Sequence, residues 1–310
     1  MNMSVSNKII GEWKRIIDRV VGDKFSFGFR DKSGLEEVME QEQGIVFMTN
    51  HQNIVFDGAL TGYSVFDRYG LGSIPVFVIG DNLYEHPDAK RVLNSAGAIV
   101  FGRTGIEIAR SYKRIRETLD SGRNIWIAQS PGRAKNGISK TDPSIIKGLT
   151  NRMKSSRVIV PTRVSYEFEP TVGLMAAQSL LEERAKSGGS ERIKIQGEDT
   201  YHMKRGFFGN KGEVRLHFGI PISTSDYDNE VGVANEVSGQ IGEMRDCFPI
   251  NSWAMGRLGG DFDKHVDSQI FLARNYYGLG PEFSSSLRDR IVDFYRNVAL
   301  DKSPMENTEN

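Results

Sequence analysis

The chain has 310 residues, and its 40 lysines and arginines balance 40 aspartates and glutamates. That length fits one large α/β domain or two small ones with a sizeable core, and the balanced charge argues against a dedicated nucleic-acid binder. One cysteine, Cys247, excludes an intrachain disulfide framework and suits a reducing compartment. Neither a transmembrane run nor the apolar centre of a signal peptide is evident, so we predict a cytoplasmic protein.

The first predicted element is an amphipathic helix over residues 7–21. Its apolar residues recur at three- to four-residue spacing, and lysines and arginines are interleaved with them. A basic amphipathic helix that contains a tryptophan, here Trp13, suits either a membrane interface or packing on its own domain. We therefore predict an N-terminal helical segment over residues 1–28 and consider peripheral contact with the inner face of a membrane through residues 7–21.

The next stretch, residues 44–58, reads GIVFMTNHQNIVFDG. Its apolar run at 45–48 predicts a buried strand, and His51 follows where a strand would pass into a helix. Ligands of open α/β sheets usually lie at that carboxyl edge. His51 and Asp57 would face about 120° apart on one ideal helix, so they meet only if His51 precedes the helix. In that case Asp57 orients the imidazole, and His51 becomes a general base for a hydroxyl or an amine. The alternative is a histidine that caps a helix or is satisfied at a strand end.

Two further strands are predicted at 75–79 and 98–101, and the second stops just before Arg103. Thr104 is placed to cap a helix over residues 106–119. An arginine at a strand end beside a helix N-terminus is a good anion site, because the guanidinium and the backbone N–H groups both favour a phosphate. The alternative is a surface arginine that caps the helix or pairs with Glu107.

A fourth strand, 124–129, leads into the loop Ser130-Pro131-Gly132-Arg133-Ala134-Lys135-Asn136-Gly137. The glycines at 132 and 137 allow the backbone to bend close to a ligand, and Arg133 and Lys135 add positive charge. A fifth strand, 157–165, is interrupted by Pro161, which is also common in ordinary core strands that have a bulge or lie at a sheet edge.

Four blocks, each at the end of an apolar strand, are the His51–Asp57 box, the stretch that ends at Arg103, the loop at 130–137 and the strand at 157–165. In this order they resemble the blocks of the glycerolipid acyltransferases, and the resemblance spans roughly residues 44–222. The usual His-Asp box of that superfamily has four intervening residues, whereas this chain has five, a form that we associate with a bacterial branch. The resemblance implies a three-layer α/β core with a mixed, largely parallel sheet flanked by helices. It also implies an O-acyltransferase that moves a fatty acyl group from acyl-CoA or acyl-carrier protein to a glycerophosphate or lysophospholipid-type acceptor.

The resemblance assigns roles by position. His51 and Asp57 would be catalytic, and the acceptor or phosphate site would be formed by Arg103, Gly132, Arg133 and Lys135. The phosphate held there would be the acceptor's or the donor's, and backbone N–H groups around Gly132 are also candidates for binding the oxyanion. The acyl carrier is a co-substrate, so no metal or bound cofactor is implied, and the expected partners are the carrier and a lipid or phosphate-bearing acceptor. No metal-ligand spacing, phosphate-binding glycine loop or serine nucleophile elbow is present in the sequence.

One position departs from the superfamily. The glutamate expected just before Gly132 is replaced by Pro131, which carries no charge and no backbone N–H. Three interpretations stay open: the acceptor differs, such as an amine-bearing lipid or a biosynthetic intermediate; another carboxylate substitutes; or the chain is a non-catalytic lipid-binding relative.

The remaining pattern predicts a single domain over residues 29–300 and a disordered polar tail over 301–310. The further predicted elements are a helix at 174–186, strands at 192–195 and 213–219, a loop at 203–211, and helices at 226–244 and 286–300. His202 and His217 lie far from any partner in the sequence, and we interpret both as structural.

Overall fold

The computed structural model describes residues 14–15, 18–19, 21–41, 43–53, 56–81, 90, 94, 97–138, 140–256 and 262–300. The predicted tail lies outside these residues, and so does most of the predicted helix over residues 7–21. The division into an N-terminal segment, one domain and a tail therefore stays a prediction. Among the described helices, none is both long enough and apolar enough to cross a bilayer.

An eight-stranded mixed sheet forms the centre of this part of the chain. The strands are β1 (Phe25–Phe29), β2 (Ile45–Thr49), β3 (Val76–Gly80), β4 (Ile99–Phe101), β5 (Ile125–Ala128), β6 (Val158–Tyr166), β7 (Val214–Phe218) and β8 (Ile222–Ser223). Their order across the sheet is β1-β7-β6-β2-β5-β3-β4, with β8 beside β6. The pairs β2–β5, β2–β6, β3–β5, β3–β4 and β1–β7 are parallel, whereas β6 pairs with β7 and β8 antiparallel. The predicted largely parallel α/β sheet is confirmed.

Helices cover both faces of the sheet. They are α1 (Lys32–Glu40), α2 (Phe56–Tyr69), α3 (Gly105–Asp120), α4 (Pro143–Thr150), α5 (Val172–Ser187), α6 (Glu198–Phe208), α7 (Glu230–Glu243), α8 (Pro249–Ala254), α9 (Asp263–Tyr277) and α10 (Ser284–Leu300). Successive residues of a strand point to opposite faces, and β2 is buried on both, which explains its unbroken apolar run.

The two faces pack against different helices. Ile45 and Phe47 share one apolar cluster with α1 and α2, whereas Val46 and Met48 share another with α3, α4 and α7. This arrangement is the predicted three-layer core. A third cluster joins α5, α8, α9 and α10, so the C-terminal helices form their own apolar centre beside the sheet.

The structure corrects two predicted elements. Residues 192–195 are not a strand, and Ile193 is 91% exposed. The alternation there comes from ion pairing, since Arg192 and Lys194 bond the carboxylates of Glu198 and Asp199 in the first turn of α6.

The predicted loop at 203–211 is mostly the helix α6. The ring of Phe207 packs edge-on against Phe56, with centroids 5.5 Å apart, and this tertiary contact favours the helix despite its internal glycine. A Cβ at that glycine, Gly206, would lie 3.0 Å from Asn53. The missing side chain therefore lets α6 approach the turn after His51 closely.

Candidate active site

His51 lies two residues after the end of β2, the strand with β6 on one side and β5 on the other. Its side chain is 15% exposed, and its Nδ1 lies 3.6 Å from Oδ2 of the fully buried Asp57. The pair meets because His51 precedes α2 while Asp57 lies in its first turn, as the six-residue spacing requires. At 3.6 Å the contact exceeds a hydrogen bond, but catalytic hydrogen bonds are often long before substrate binds.

The carboxylate of Asp57 is held from both sides. Its Oδ2 accepts hydrogen bonds from the backbone N–H groups of Gln52 (3.0 Å) and Asn53 (2.9 Å), which closes the turn between strand and helix. Its Oδ1 accepts a 2.5 Å hydrogen bond from the phenol of Tyr166. The carboxylate is therefore fixed with one oxygen facing His51.

Asn50 joins this turn to the neighbouring strand. Its side-chain amide donates to the carbonyl of Val164 (2.9 Å) and accepts from the N–H of Val164 (2.8 Å). The side chain thus continues the β2–β6 ladder one residue past the end of β2. Since Val164 and Tyr166 lie on the same face of β6, this pairing sets where the phenol meets Asp57.

The loop after β5 is bonded to the same strand end. The N–H of Gln129 donates to the carbonyl of Thr49, and the N–H of Ala134 donates to the carbonyl of His51, both at 2.8 Å. Gly137 has a φ of +81°, and a Cβ there would lie 2.5 Å from the carbonyl oxygen of Phe294. Gly132 has neither constraint, because no described atom lies within 4 Å of where its Cβ would stand.

Arg133 points into a buried polar network. Its Nη1 donates to Oγ1 of Thr171 (3.0 Å), and its Nη2 donates to Nδ1 of His202 (2.6 Å). Each of these nitrogens carries a second N–H. Burial lowers the pKa of Arg133, whereas the negative charges of Glu169 and Asp57 act to raise it. A desolvated guanidinium is costly unless anions compensate it, which is the environment expected of an anion site.

His202 serves as an acceptor in this network. Because arginine can only donate, Nδ1 of His202 accepts from Arg133 and Nε2 carries the proton toward the phenol of Tyr277 (3.0 Å). Burial, reinforced by the charge of Arg133, lowers the pKa of His202 to about 3. His202 is therefore a neutral support for Arg133, a contact between distant segments that spacing in the sequence did not reveal.

Glu169 also belongs to this network. Its Oε1 accepts from the N–H and Oγ1 of Thr171, the hydroxyl that receives Nη1 of Arg133. Its Oε2 is buried and has no hydrogen-bond partner among the described residues. Burial raises the pKa of Glu169 to about 7. A buried carboxyl thus lies one hydroxyl away from Arg133, although Pro131 occupies the position at which the resemblance predicted a glutamate.

The other two predicted cations form ion pairs with carboxylates. Arg103 is 65% exposed, and its Nε donates to Oδ1 of Asp81 (2.6 Å) rather than to Glu107, which instead completes a capping box with Thr104. Arg103 follows β4, three strand positions from β2, or about 14 Å at roughly 4.8 Å per strand. Lys135 pairs with Glu182 at 2.6 Å.

The structure thus brings His51, Asp57 and Arg133 to the carboxyl ends of two adjacent strands, β2 and β5, and places Arg103 further along the sheet. Sequence reasoning did not identify Asn50, Tyr166 or Glu169. Asn50 adjoins His51, and Tyr166 closes the fifth apolar strand, but neither position carried a signal of its partner. Within the described residues, no group of three or more His, Cys, Asp and Glu side chains is placed to hold a metal ion.

Residues 31–172 match the family model described as Acyltransferase, and a comparison with curated proteins found no match. Among solved structures, the chain is similar to the 1-acyl-sn-glycerophosphate (LPA) acyltransferase PlsC from Thermotoga maritima, with 13% identity, coverage of 75% of this chain and 74% of that chain, and a TM-score of 0.46. The matched segment contains every predicted site residue, so the similarity to the acyltransferase family model covers all of these positions.

Proposed function

We propose that this protein transfers a fatty acyl group from an acyl thioester, acyl-CoA or acyl-carrier protein, to a hydroxyl of a glycerophosphate or lysophospholipid-type acceptor. The observation that carries the proposal is the His51–Asp57 pair at the carboxyl end of the central strand, with the half-buried Arg133 on the adjoining loop. That combination supplies a general base and an anion site in a family of acyltransferases.

In the proposed reaction, Nδ1 of His51 faces Asp57, so Nε2 takes the proton of the acceptor hydroxyl. The hydroxyl oxygen attacks the thioester carbonyl carbon, and a tetrahedral oxyanion forms. The C–S bond then breaks, and the thiolate takes the proton back from the imidazolium. Asp57 orients His51 and stabilises its charged form. The protein needs no covalent nucleophile in this sequence of steps.

The proposed acceptor site is centred on Arg133. Its second N–H groups would donate to phosphate oxygens, with Lys135 adding charge and the backbone near Gly132 lining the site. Arg103, about three strands away, would contact the acceptor or the donor only where a substrate extends along the sheet edge. We propose a cytoplasmic protein that works beside a membrane, with residues 7–21 as its lipid contact.

A second candidate function, acyl transfer to a different acceptor, is based on Pro131. With Pro131 exposed where a glutamate was expected, the acceptor could be an amine-bearing lipid or another intermediate. Glu169 favours the first proposal, since it places a buried carboxyl on the network of Arg133. The two candidates differ in the acceptor alone.

The deciding experiment measures thiol release from long-chain acyl-CoA and acyl-carrier protein. The acceptors are glycerol 3-phosphate, lysophosphatidic acid and a panel of amines, and the variants are His51→Ala and His217→Ala. His217, on β7, is the matched control, because it forms a separate histidine–carboxylate pair, 2.9 Å from Asp246. We expect acceptor-dependent release with a phosphate-bearing acceptor that falls at least 100-fold in His51→Ala and is kept in His217→Ala.

Release with amines alone would replace the acceptor proposal with the second candidate. Equal release, or none, from wild type and His51→Ala with every pair would overturn acyl transfer by His51 and favour a lipid-binding protein.

A further inference from the structure

Asp57 is held by hydrogen bonds of two kinds. On one side, the backbone N–H groups of Gln52 and Asn53 reach Oδ2, the oxygen 3.6 Å from Nδ1 of His51. On the other side, Tyr166 donates a 2.5 Å hydrogen bond to Oδ1. A carboxylate turns readily about its Cβ–Cγ bond, so the orientation of Oδ2 toward His51 depends on both sides.

Tyr166 is well placed to act on Asp57. It is the last residue of β6 and is 5% exposed. Its ring packs in the apolar cluster shared with α1 and α2, and Asn50 holds β6 in register two residues earlier. The phenol therefore approaches Asp57 from a rigid strand rather than from a loop.

We infer that Tyr166 is a positioning residue for catalysis, which holds the carboxylate of Asp57 so that one oxygen always faces His51. The catalytic part of this inference rests on the proposed function. The arrangement of Tyr166, Asp57 and His51 can be tested without it. Within the part of the chain that the structure describes, the phenol of Tyr166 is the one group that donates a hydrogen bond to Oδ1.

The phenol also influences charge. Burial, with the negative charge of Asp57, raises the pKa of Tyr166 well above its ordinary value, so the hydroxyl stays a donor throughout the working pH range. Its hydrogen bond takes up part of the negative charge on Asp57. Without it, more of that charge would act on the imidazolium of His51. Glu169 and Arg133, whose charges also interact with Asp57, would be unchanged.

The test replaces the hydroxyl alone. Tyr166→Phe keeps the ring, and Tyr112→Phe is the matched control because its hydroxyl makes a long 3.4 Å contact with Ser144 away from the His51–Asp57 pair. We expect Tyr166→Phe to lower kcat about 10-fold with KM changed less than about twofold, since a hydrogen bond to a charged group is lost. The acidic limb of its kcat/KM profile should move to higher pH, while Tyr112→Phe behaves as wild type.

A second readout does not need turnover. The imidazole ¹⁵N resonances of His51, assigned by their loss in His51→Ala, should shift in Tyr166→Phe and stay in place in Tyr112→Phe. Wild-type kcat, pH profile and ¹⁵N shifts in Tyr166→Phe would overturn the inference. If the wild type transfers no acyl group to any acceptor, the proposed function fails, and the ¹⁵N comparison alone decides whether Tyr166 orients the His51–Asp57 pair.

Discussion

The side-chain amide of Asn50 and the backbone of Val164 exchange two hydrogen bonds of 2.9 and 2.8 Å, so this amide takes the place of strand backbone beside β6. The side chain of Asn50 thereby carries the pairing of β2 with β6 past the end of β2. The residue that follows is His51, and the residue two positions beyond Val164 is Tyr166. The same side chain thus connects the strand end that carries His51 with the strand that carries Tyr166.

Replacing Asn50 should disturb both the fold and the site. Asn50→Asp keeps an acceptor for the N–H of Val164 but sets a carboxylate oxygen against the carbonyl of Val164. We expect the free energy of unfolding to fall by about 2–3 kcal/mol, since both groups are buried. Urea titration measures this loss. Asn229→Asp is the control, because Asn229 caps α7 through an accepted hydrogen bond that aspartate also provides; equal losses in the two variants would contradict the prediction.

Asp57→Asn tests the carboxylate itself. An amide has one acceptor oxygen, so its NH₂ must face either the phenol of Tyr166 or the backbone N–H groups of Gln52 and Asn53. We expect a loss of about 1–3 kcal/mol in stability together with at least a 100-fold lower kcat. Thermal melts and acyl-transfer kinetics measure the two effects. Wild-type turnover would show that His51 does not need this carboxylate.

The two glycines of the loop after β5 should respond differently to alanine. Gly137→Ala would force a side chain into left-handed backbone and against the carbonyl of Phe294, so we expect a loss of at least about 1–3 kcal/mol in stability. Gly132→Ala should change stability by less than about 0.5 kcal/mol. If Gly132 lines the acceptor site as predicted, its alanine variant should still raise KM. Unchanged kinetics in the stable Gly132→Ala protein would remove Gly132 from the site.

Glu169 makes a distinct contribution to the pH dependence of stability. Burial raises its pKa to about 7, whereas the unfolded chain ionises near pH 4.3. Between these values the folded state binds the extra proton, so stability falls as pH rises from about 4 to 7 and then levels off. Glu169→Gln removes this titration. Between pH 5 and 8, the unfolding free energy of the variant should therefore fall less than that of the wild type, with a difference of up to about 3 kcal/mol. Parallel curves for the two proteins would contradict this.

His202 acts in the opposite direction. Its pKa is lowered to about 3 in the folded state, against about 6.5 in the unfolded chain. The unfolded state therefore binds the extra proton below pH 6.5, and stability is lost as pH falls, by at most about 1.4 kcal/mol per pH unit. His202→Gln keeps an acceptor for Arg133 and removes the titration. Denaturant unfolding at pH 5 and 6.5 should show the smaller acid loss in the variant, and an equal loss would refute the assignment.

Much of the sheet followed from local pattern. The apolar run at 45–48 predicted β2, because a strand buried on both faces reads as a near-continuous apolar run. The strand predicted at 157–165 is β6, although Thr162, Arg163 and Ser165 are polar and buried within it. Thr104 predicted the start of α3 because a threonine cap bonds the first-turn N–H groups, as it does here. The segment 192–211 was misassigned because its alternation reflects ion pairs with α6, and because packing of Phe207 on Phe56 outweighs the helix cost of a glycine.

By itself, the sequence determined the chemistry that this protein carries: a histidine and an aspartate at a strand-to-helix turn, and arginines and glycines at later strand ends. These signals are local, since each depends on residues within a few positions of one another. The hydrogen-bond partners of these residues were decided by the tertiary structure alone. Tyr166 lies 109 positions along the chain from Asp57. Glu169 and His202 lie 36 and 69 positions from Arg133. Only strand pairing and helix packing bring such groups within hydrogen-bond distance, and the spacing of residues in the sequence does not predict these contacts.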